Sequence, residues 1–344
     1  YRVRFGMTDI ASTKWDGSVE VSNGELIQLR DWHPRPENSI EAPNKWKLST
    51  HKGVNYRYPA YYLQNFHYQS GGWFTEDSAD IYDTQVEALF TGTADAMRRA
   101  VLAEISRELR GRDQRGVSLL DVACGTGTVA IEAASRGAHV TGVDLTPKML
   151  EIAQHRANTA GVNVNWQEGS FTDLGGLGKF DLVTSGFGVI FAGDQAAEVA
   201  GQLLDACLSG GIVSLTTWDM GGAFSMPASL VELLGVDNEY GPSKWGDPKN
   251  VRRYFEESGR EHIFHEELYD RVEIRFESVE QSFDRLCEVS GPWQMLLGHF
   301  DSQGQGEQAR EIILDHLRSR VREPESGEGI AYRVGYYILR IEAV

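Results

Sequence analysis

Two strand–turn–helix patterns in succession, between residues 117 and 150, constrain the fold of this chain more than any other feature. The first strand is apolar up to Asp121, then turns through the sequence CGTG at residues 124–127 and continues as an apolar helix. The second strand ends at Asp144, and the helix after it begins with Pro147, a residue favoured at the first helical position. The repeat predicts a βαβα unit, in which a helix connects two parallel strands.

The glycines of the turn and the acid at the end of the second strand indicate a bound nucleoside. A glycine lets the backbone approach a ligand closely, and the following helix N-terminus attracts negative charge. Asp144 lies where an acid can accept hydrogen bonds from both hydroxyls of a ribose. Gly125, Gly127 and Ala130 also match the G-x-G-x-x-G/A spacing of dinucleotide-binding enzymes, so the class of nucleoside stays open at this point.

Asp121 favours one of these classes, because its carboxylate would attract an ammonium group and repel a pyrophosphate. A cofactor that is a sulfonium amino acid fits this charge better than a dinucleotide does. The sequences LLDVACGTG (119–127) and VTGVDLTPKMLEIAQHRA (140–157) resemble motif I and the following motif of class I S-adenosylmethionine-dependent methyltransferases. The resemblance extends over about residues 117–217. Ala123 stands at the family's first glycine, and we expect the turn to tolerate it.

The resemblance implies an α/β fold with a Rossmann-like doubly wound sheet of seven strands, and S-adenosyl-L-methionine as the cofactor. Ser170 stands where the family usually has an acid that holds the adenine amino group, so we expect the adenine contact through Ser170 or the backbone of Phe171. The residues implied in cofactor binding all follow predicted strands: Asp121, Ala123, Cys124, Gly125, Thr126, Gly127, Asp144, Leu145, Met149, Gly169, Ser170, Phe171, Ser185 and Phe187.

The chain divides by sequence pattern into three segments. Residues 1–50 alternate in polarity around the turn signal Asn23-Gly24, which predicts a small β-rich segment of unknown role. Residues 54–110 are rich in aromatic side chains and then helical, and we expect this N-terminal aromatic and helical cap to cover the cofactor. Part of the cap, residues 55–98, resembles the N-terminal segment of methyltransferases from photosynthetic organisms. Residues 111–344 form the predicted cofactor-binding domain, with a helical insertion at about 277–328.

Several element boundaries follow from the pattern within the predicted domain. Residues 162–166 are expected to form the third strand and residues 196–208 a helix that stops at Gly210-Gly211. A strand over 212–217 comes next. The insertion carries two predicted helical stretches, at 279–289 and 306–321.

The acceptor side of the site is predicted from the aromatic segment at residues 58–73. These aromatic side chains either pack into the core or line an apolar substrate pocket. Within the segment, His67 can take a proton near neutral pH, and Tyr68 beside it can orient the imidazole. Asp219, at the end of the predicted strand over 212–217, and His299 are the next candidates for a base. Methyl transfer requires mainly proximity and alignment, so neither a catalytic triad nor a metal is expected.

Charge and cysteine content limit the partners. The chain has 344 residues and a formal net charge of −17, which argues against nucleic acid and anionic membranes as partners. The three cysteines and nine histidines show no metal-binding spacing, so no metal site is predicted. Reduced cysteines, no long apolar run and no signal-peptide pattern lead us to expect a cytoplasmic protein. The expected partner is a small-molecule methyl acceptor. A homodimer stays open.

Three functions remain to be distinguished. The first is a methyltransferase acting on a small, planar or hydrophobic acceptor. The second is an NAD-type oxidoreductase, which the position of Asp121 disfavours. The third is a non-catalytic scaffold protein that keeps the nucleoside pocket. A separate alternative to all three is that the glycine turn only caps a helix and that the protein binds no cofactor.

Overall fold

The structure is a computed structural model of the full chain. It describes residues 94–102, 116–219, 244–289, 291–325 and 327–344, together with the short stretches 18–20, 26–28, 49–51, 54–56, 82–83, 86–87, 222–223, 225, 227, 229–230 and 233. The described chain divides into two units. One comprises Tyr1–Gly92 and Arg285–Leu296, and the other comprises Thr93–Asp284 and Leu297–Val344. The site residues described below belong to the second unit.

The strands and helices alternate along most of the second unit, as expected for an α/β fold. The strands are β1 (Ser18–Glu20), β2 (Leu26–Gln28), β3 (Ser49–His51), β4 (Val54–Tyr56), β5 (Ser118–Val122), β6 (His139–Asp144), β7 (Asn165–Glu168), β8 (Phe180–Gly186), β9 (Cys207–Trp218), β10 (His262–Phe276) and β11 (Ile330–Ala343). The helices are α1 (Ala94–Arg99), α2 (Thr128–Ser135), α3 (Pro147–Ala160), α4 (Ala196–Asp205), α5 (Pro248–Glu257), α6 (Val279–Val289), α7 (Gly291–Ser302) and α8 (Gly306–Arg320).

Seven strands form one sheet in the order β10-β11-β9-β8-β5-β6-β7. Strands β9, β8, β5, β6 and β7 are parallel, while β11 runs antiparallel to both of its neighbours. The predicted α/β fold with a seven-stranded sheet is therefore confirmed. Because the chain goes from β5 outward to β6 and β7, and later returns to place β8 on the other side of β5, the strand order reverses at β5.

The crossovers place helices on both faces of the sheet. Connections between parallel strands are nearly always right-handed, so α2 and α3, on the way outward, lie on one face and α4, on the return, lies on the other. A buried apolar cluster covers the first face and joins the segment after α1, helix α2 and the strands of the sheet. Its members are Val101, Leu102, Leu119, Val129, Ala130, Ala133, Val140, Leu182 and Ile212. This packing fixes α2, and with it the glycine turn before α2, against the sheet.

Three predicted boundaries differ from the structure. The third strand of the domain covers Asn165–Glu168 instead of 162–166. Helix α4 ends at Asp205 and β9 starts at Cys207, so Gly210-Gly211 lie inside a strand and the prediction of a helix stop was wrong. The register between β8 and β9 shifts at this point, and glycines commonly accommodate such a bulge.

The region between β10 and β11 contains three helices, where two were predicted. The two predicted stretches correspond to α6 and α8. The third helix, α7, begins at Gly291 with Pro292 directly after it. A Gly-Pro pair in a sequence usually indicates a turn or loop, but proline is also favoured at the first position of a helix.

The first unit includes the hairpin predicted around Asn23-Gly24. Strands β1 and β2 pair antiparallel, with Val19 opposite Ile27, while Asn23-Gly24 lie outside the described residues. Strands β3 and β4 form a second antiparallel pair. The three segment boundaries predicted above remain predictions.

Candidate functional site

The predicted cofactor residues lie at one edge of the sheet, where five parallel strands end. They lie in the last residues of β5, β6 and β8 or after the ends of β5, β6, β7 and β8, and Asp219 follows β9. The strand order reverses at β5, which has β6 on one side and β8 on the other. In open α/β sheets the crevice at such a reversal, outside the carboxyl ends of the strands, is where ligands bind.

The turn after β5 contains two glycines with different roles. Both have left-handed backbone, with φ of +53° at Gly125 and +82° at Gly127. A Cβ on Gly125 would meet no described atom within 4 Å, whereas a Cβ on Gly127 would lie 2.6 Å from the Trp166 ring and 3.1 Å from Ala153. Gly127 is thus required for packing of the turn on the protein, and Gly125 borders open space.

Asp144 joins the turns that follow three neighbouring strands. Its Oδ2 accepts a hydrogen bond from the Gly125 amide at 2.8 Å and its Oδ1 accepts one from the Thr146 amide at 2.9 Å. Its carbonyl accepts from the Gly169 amide at 3.0 Å. Burial raises the pKa of the Asp144 carboxyl above its ordinary value, although these amides counteract the shift. Asp144 remains partly exposed, so the predicted contact with a ribose is sterically open.

Asp121 is a buried carboxyl group with one oxygen left over. The side chain is 1% exposed, and its Oδ1 accepts a hydrogen bond from the Thr184 hydroxyl at 2.9 Å. Its Oδ2 has no hydrogen-bond partner in the described part of the chain. Burial raises the pKa of Asp121 to about 7; the Thr184 hydroxyl and the Ala130 backbone amide lower the pKa, and the nearby negative charge of Asp144 raises it further. A cation that reached Oδ2 would relieve this cost.

Ala123 and Cys124 complete the turn. Ala123 has left-handed backbone with φ of +54°, which costs a residue with a Cβ about 1 kcal/mol or more. That the turn tolerates alanine at this position remains a prediction. Burial raises the pKa of the Cys124 thiol, and the charges of Asp144 and Asp121 raise it further. The thiol therefore stays protonated, which suits packing better than a nucleophilic role.

The residues after β6 and β7 present a mixture of core and exposed positions. Met149 and Phe171 are buried, and Leu145 is partly exposed. The Ser170 hydroxyl lies 2.8 Å from the Thr172 hydroxyl and accepts a hydrogen bond from the Thr172 amide at 3.2 Å. Ser170 thus stabilises its own turn in this structure.

Ser185, at the end of β8, supports the neighbouring strand. Its hydroxyl donates to the Val122 carbonyl at 2.8 Å and accepts from the Val189 amide at 3.2 Å. The side chain is fully buried. Any contact of Ser185 with a cofactor would therefore come from its backbone.

Phe187 begins a row of aromatic rings across the edge of four strands. Its ring stacks on Trp218 with centroids 4.0 Å apart and an interplanar angle of 22°. Trp218 is the register partner of Tyr336 on β11, and Tyr336 is the partner of Tyr269 on β10. The Tyr336 and Tyr269 centroids are 5.2 Å apart. We call these four residues the aromatic row; register partners share a face of the sheet, so Trp218, Tyr336 and Tyr269 lie side by side on one face. Tyr336 is buried, and the other three are partly exposed.

The predicted catalytic residues are only partly covered by the structure. His67 and Tyr68 lie outside the described residues. The Asp219 amide donates to the Gly335 carbonyl at 3.1 Å, which holds the residue at the end of β9 next to the aromatic row. His299 is exposed on α7. Within the described ranges, no group of three or more His, Cys, Asp or Glu side chains could hold a metal ion.

Two supporting side chains were missed by the sequence analysis. Thr184 holds Asp121 from the next strand, and Arg156 on α3 donates to Thr126 in the glycine turn. Thr184 could not be found before the strand order was known. Arg156 does carry a signal, since it lies three positions after Ala153 and seven after Met149 and therefore borders the buried face of an otherwise polar helix.

The described helices include none that is long and apolar enough to cross a membrane.

Comparison with known proteins places part of the chain in a family. Residues 119–211 match the family model of a methyltransferase domain. An uncharacterised protein of Mycobacterium tuberculosis is 41% identical over 119 residues, which are 34% of this chain and 43% of that protein. The ubiquinone biosynthesis O-methyltransferase of Azorhizobium caulinodans is 37% identical over 73 residues, which are 21% of this chain and 29% of that enzyme. The chain thus spans less than half the length of these curated relatives.

Solved structures of low sequence identity are also similar. The magnesium protoporphyrin IX methyltransferase of Synechocystis PCC 6803, solved with bound SAH, has a TM-score of 0.40 and 19% identity. The similarity covers 51% of this chain and 78% of that one.

Asp121→Asn tests the electrostatic state of the buried carboxyl group. Because the pKa of Asp121 is raised to about 7 in the folded protein, the folded state holds a proton that the unfolded state has lost between about pH 4 and 7. Wild-type stability should therefore fall as the pH rises through this range, by up to about 4 kcal/mol at 1.36 kcal/mol per pKa unit, and then level off.

Asp121→Asn removes this titration, so its free energy of unfolding relative to wild type should grow from pH 4 to pH 8. Urea unfolding at several pH values measures the difference. A constant difference between the two proteins would show that Asp121 is ionised throughout and would contradict its buried, unpaired state.

Gly125→Ala and Gly127→Ala form a matched pair that separates ligand contact from packing. Both variants place a Cβ on left-handed backbone, at a cost of about 1–2 kcal/mol. Gly127→Ala must also displace the Trp166 ring, which adds about 1–3 kcal/mol of overpacking. We expect Gly127→Ala to show the larger loss of stability, and Gly125→Ala the larger loss of cofactor affinity per folded molecule, about tenfold or more. Thermal melting and calorimetric titration give the two quantities; equal affinity losses would mean that Gly125 does not face the ligand.

Proposed function

We propose that this chain, whose residues 119–211 form a class I methyltransferase domain, uses S-adenosylmethionine to transfer a methyl group to a small, planar or hydrophobic acceptor. The observation that carries the proposal is the pair of carboxyl groups at the ends of β5 and β6. Asp121 offers an unpaired buried oxygen, and Asp144 lies partly exposed beside the open space at Gly125.

The residues present fit this cofactor by charge. The ammonium group of the methionine moiety would satisfy Asp121 Oδ2, and the ribose hydroxyls would donate to Asp144. The pyrophosphate of a dinucleotide would instead add negative charge to a crevice that already holds two carboxyl groups. This argues against the NAD-type oxidoreductase.

The chain's own residues contribute position and a dry surface to the reaction. When bound, S-adenosylmethionine supplies the activated methyl group for an in-line displacement at its sulfonium. The glycine turn and the two carboxyl groups would fix the donor, and the aromatic row would exclude water and align the acceptor. A base is needed only for an acceptor that must lose a proton, and Asp219 is the described candidate nearest to the row.

The aromatic row supports a planar acceptor. Phe187 and Trp218 already lie nearly parallel, and both are partly exposed beside the crevice. An aromatic ring that packs against such a surface gains offset-stacked or edge contacts of about 0.5–1.5 kcal/mol beyond its burial. The net charge of −17 further favours a small molecule over nucleic acid as acceptor. A cytoplasmic location belongs to the same proposal, and it is supported by the thiols of Cys124 and Cys207, which form no disulfide.

The scaffold alternative requires binding without turnover. It predicts cofactor affinity equal to that of an enzyme but no methyl transfer to any acceptor. A screen of methyl transfer from radiolabelled S-adenosylmethionine onto hydroxylated and amino-substituted aromatic compounds distinguishes the two.

The ribose contact can be tested with a paired change in protein and ligand. Wild type should bind S-adenosylhomocysteine about tenfold or more tightly than its 2′-deoxyribose analogue, because the analogue lacks a charge-assisted hydrogen bond worth about 1.5–3 kcal/mol. Asp144→Ala should bind both ligands weakly and with similar affinity. Competition binding measures all four values. Equal discrimination in wild type and variant would place the ribose elsewhere, even if overall affinity drops because the Gly125 amide has lost its partner.

The acceptor surface can be tested with probes of different shape. With S-adenosylhomocysteine present, wild type should bind 2-naphthol about tenfold or more tightly than the non-planar cyclohexylmethanol. Trp218→Leu should remove the preference, and Trp218→Phe should keep part of it because a phenyl ring can still stack on Phe187. Calorimetric titration supplies the affinities. Similar binding of both probes to wild type would contradict a planar acceptor while leaving cofactor binding intact.

A further inference from the structure

Side chains of α1 and α3 hold the glycine turn from two directions. On the α3 side, Arg156 Nη1 donates to the Thr126 hydroxyl at 2.7 Å and to the Thr126 carbonyl at 3.1 Å. Its Nη2 lies 3.5 Å from the Thr128 hydroxyl oxygen. One guanidinium group therefore contacts both ends of the segment that leads from the turn into α2.

The contact with the Thr126 carbonyl fixes a whole peptide plane. The same peptide unit carries the Gly127 amide, which donates to the Cys124 carbonyl at 2.9 Å. A peptide group is planar, so restraining its oxygen and its N–H together leaves it no freedom to rotate. The hydrogen bonds from a charged guanidinium are also stronger than those between neutral groups.

A second restraint reaches the turn from α1. The Thr128 hydroxyl donates to Asp95 Oδ1 at 3.3 Å, and Arg98 Nη1 lies 3.4 Å from the same oxygen. The chain directly after α1 is tied to the sheet, because the Ser214 hydroxyl on β9 donates to the Val101 carbonyl at 3.1 Å. The turn thus lies between two anchored elements. Of the restraints described here, the one from Arg156 acts on Thr126, the residue between the two glycines, whereas the one from α1 acts on Thr128.

We propose that Arg156 is a positioning residue, which holds the Thr126–Gly127 peptide in its ligand-binding orientation before the cofactor binds. The role rests on the proposed function, because the affected ligand is S-adenosylmethionine. The physical reason is preorganisation: a turn that is already ordered loses less conformational freedom on binding, so more of the contact energy appears as affinity. Arg156 is half-buried and takes no direct part in the crevice contacts of Asp121 and Asp144 described above.

The experiment compares Arg156→Met with Arg136→Met as its matched control. Arg136 is a more exposed arginine at the other end of α2 and pairs with Glu132 at 2.7 Å. Arg156→Met should weaken S-adenosylhomocysteine binding about tenfold or more. Without ligand, it should also speed hydrogen exchange of the Gly127 amide about tenfold or more, because the peptide can then rotate. Arg136→Met should change both values by less than about twofold.

Two further variants separate positioning from general stability. Arg156→Lys keeps a charged donor for one acceptor and should recover part of the affinity. Arg156→Met and Thr126→Val together should lose less affinity than the sum of the single changes, since both remove the hydrogen bond between Arg156 and the Thr126 hydroxyl. Normal Gly127 exchange in Arg156→Met, or an affinity loss explained fully by its unfolded fraction, would overturn the positioning role. Absence of S-adenosylhomocysteine binding by wild type would contradict the proposed function alone, because amide exchange still tests the positioning of the turn.

Discussion

The hydrogen bond between the Asp144 carboxylate and the Gly125 amide, at 2.8 Å, is the interaction on which the geometry of the site depends. It ties the turn after β5 to the end of β6, while the other carboxylate oxygen holds the Thr146 amide at the start of α3. Two turns that are separate in the sequence therefore share one acceptor group. Since α3 carries Arg156 back to the glycine turn, the position of Asp144 also determines where that second restraint acts.

The same arrangement places two acidic side chains in a poorly solvated crevice. Burial raises the pKa of both groups, most clearly for Asp121, whose pKa of about 7 reflects a carboxyl group with one unsatisfied oxygen. In an empty protein this is a loss of stability at neutral pH, because the ionised group has left water without gaining a full set of partners. A ligand whose ammonium group reached Asp121 Oδ2 would recover part of that free energy. Such a site would be more stable with a cationic ligand bound than without one, which is a common exchange of stability for function.

The local sequence predicted that the glycine turn, Asp121 and Asp144 lie close together, but it did not predict most of the residues that hold them in place. The glycine turn, Asp121 and Asp144 belong to a contiguous βαβα pattern, so the spacing of residues along the chain already indicated their proximity. Thr184 and the aromatic row depend on which strands are neighbours, and β11 is inserted between β9 and β10 through pairing with residues of β9 that are more than 100 positions away and with residues of β10 that are more than 50 positions away. The misread Gly210-Gly211 has the same origin, because a glycine pair ends a helix or forms a bulge according to its partner strand.

Backbone strain in the described residues is confined to the same crevice. Ala123 and Phe187 are the non-glycine residues there with left-handed backbone, at φ of +54° and +60°, and they follow the adjacent strands β5 and β8. Each costs about 1–2 kcal/mol, which persists only where surrounding contacts fix the conformation. For Phe187 those contacts include the stack on Trp218 and an amide that donates to the Thr216 carbonyl at 3.3 Å. The strain turns the chain at the point of strand reversal, so that the cofactor turn and the aromatic row border one crevice.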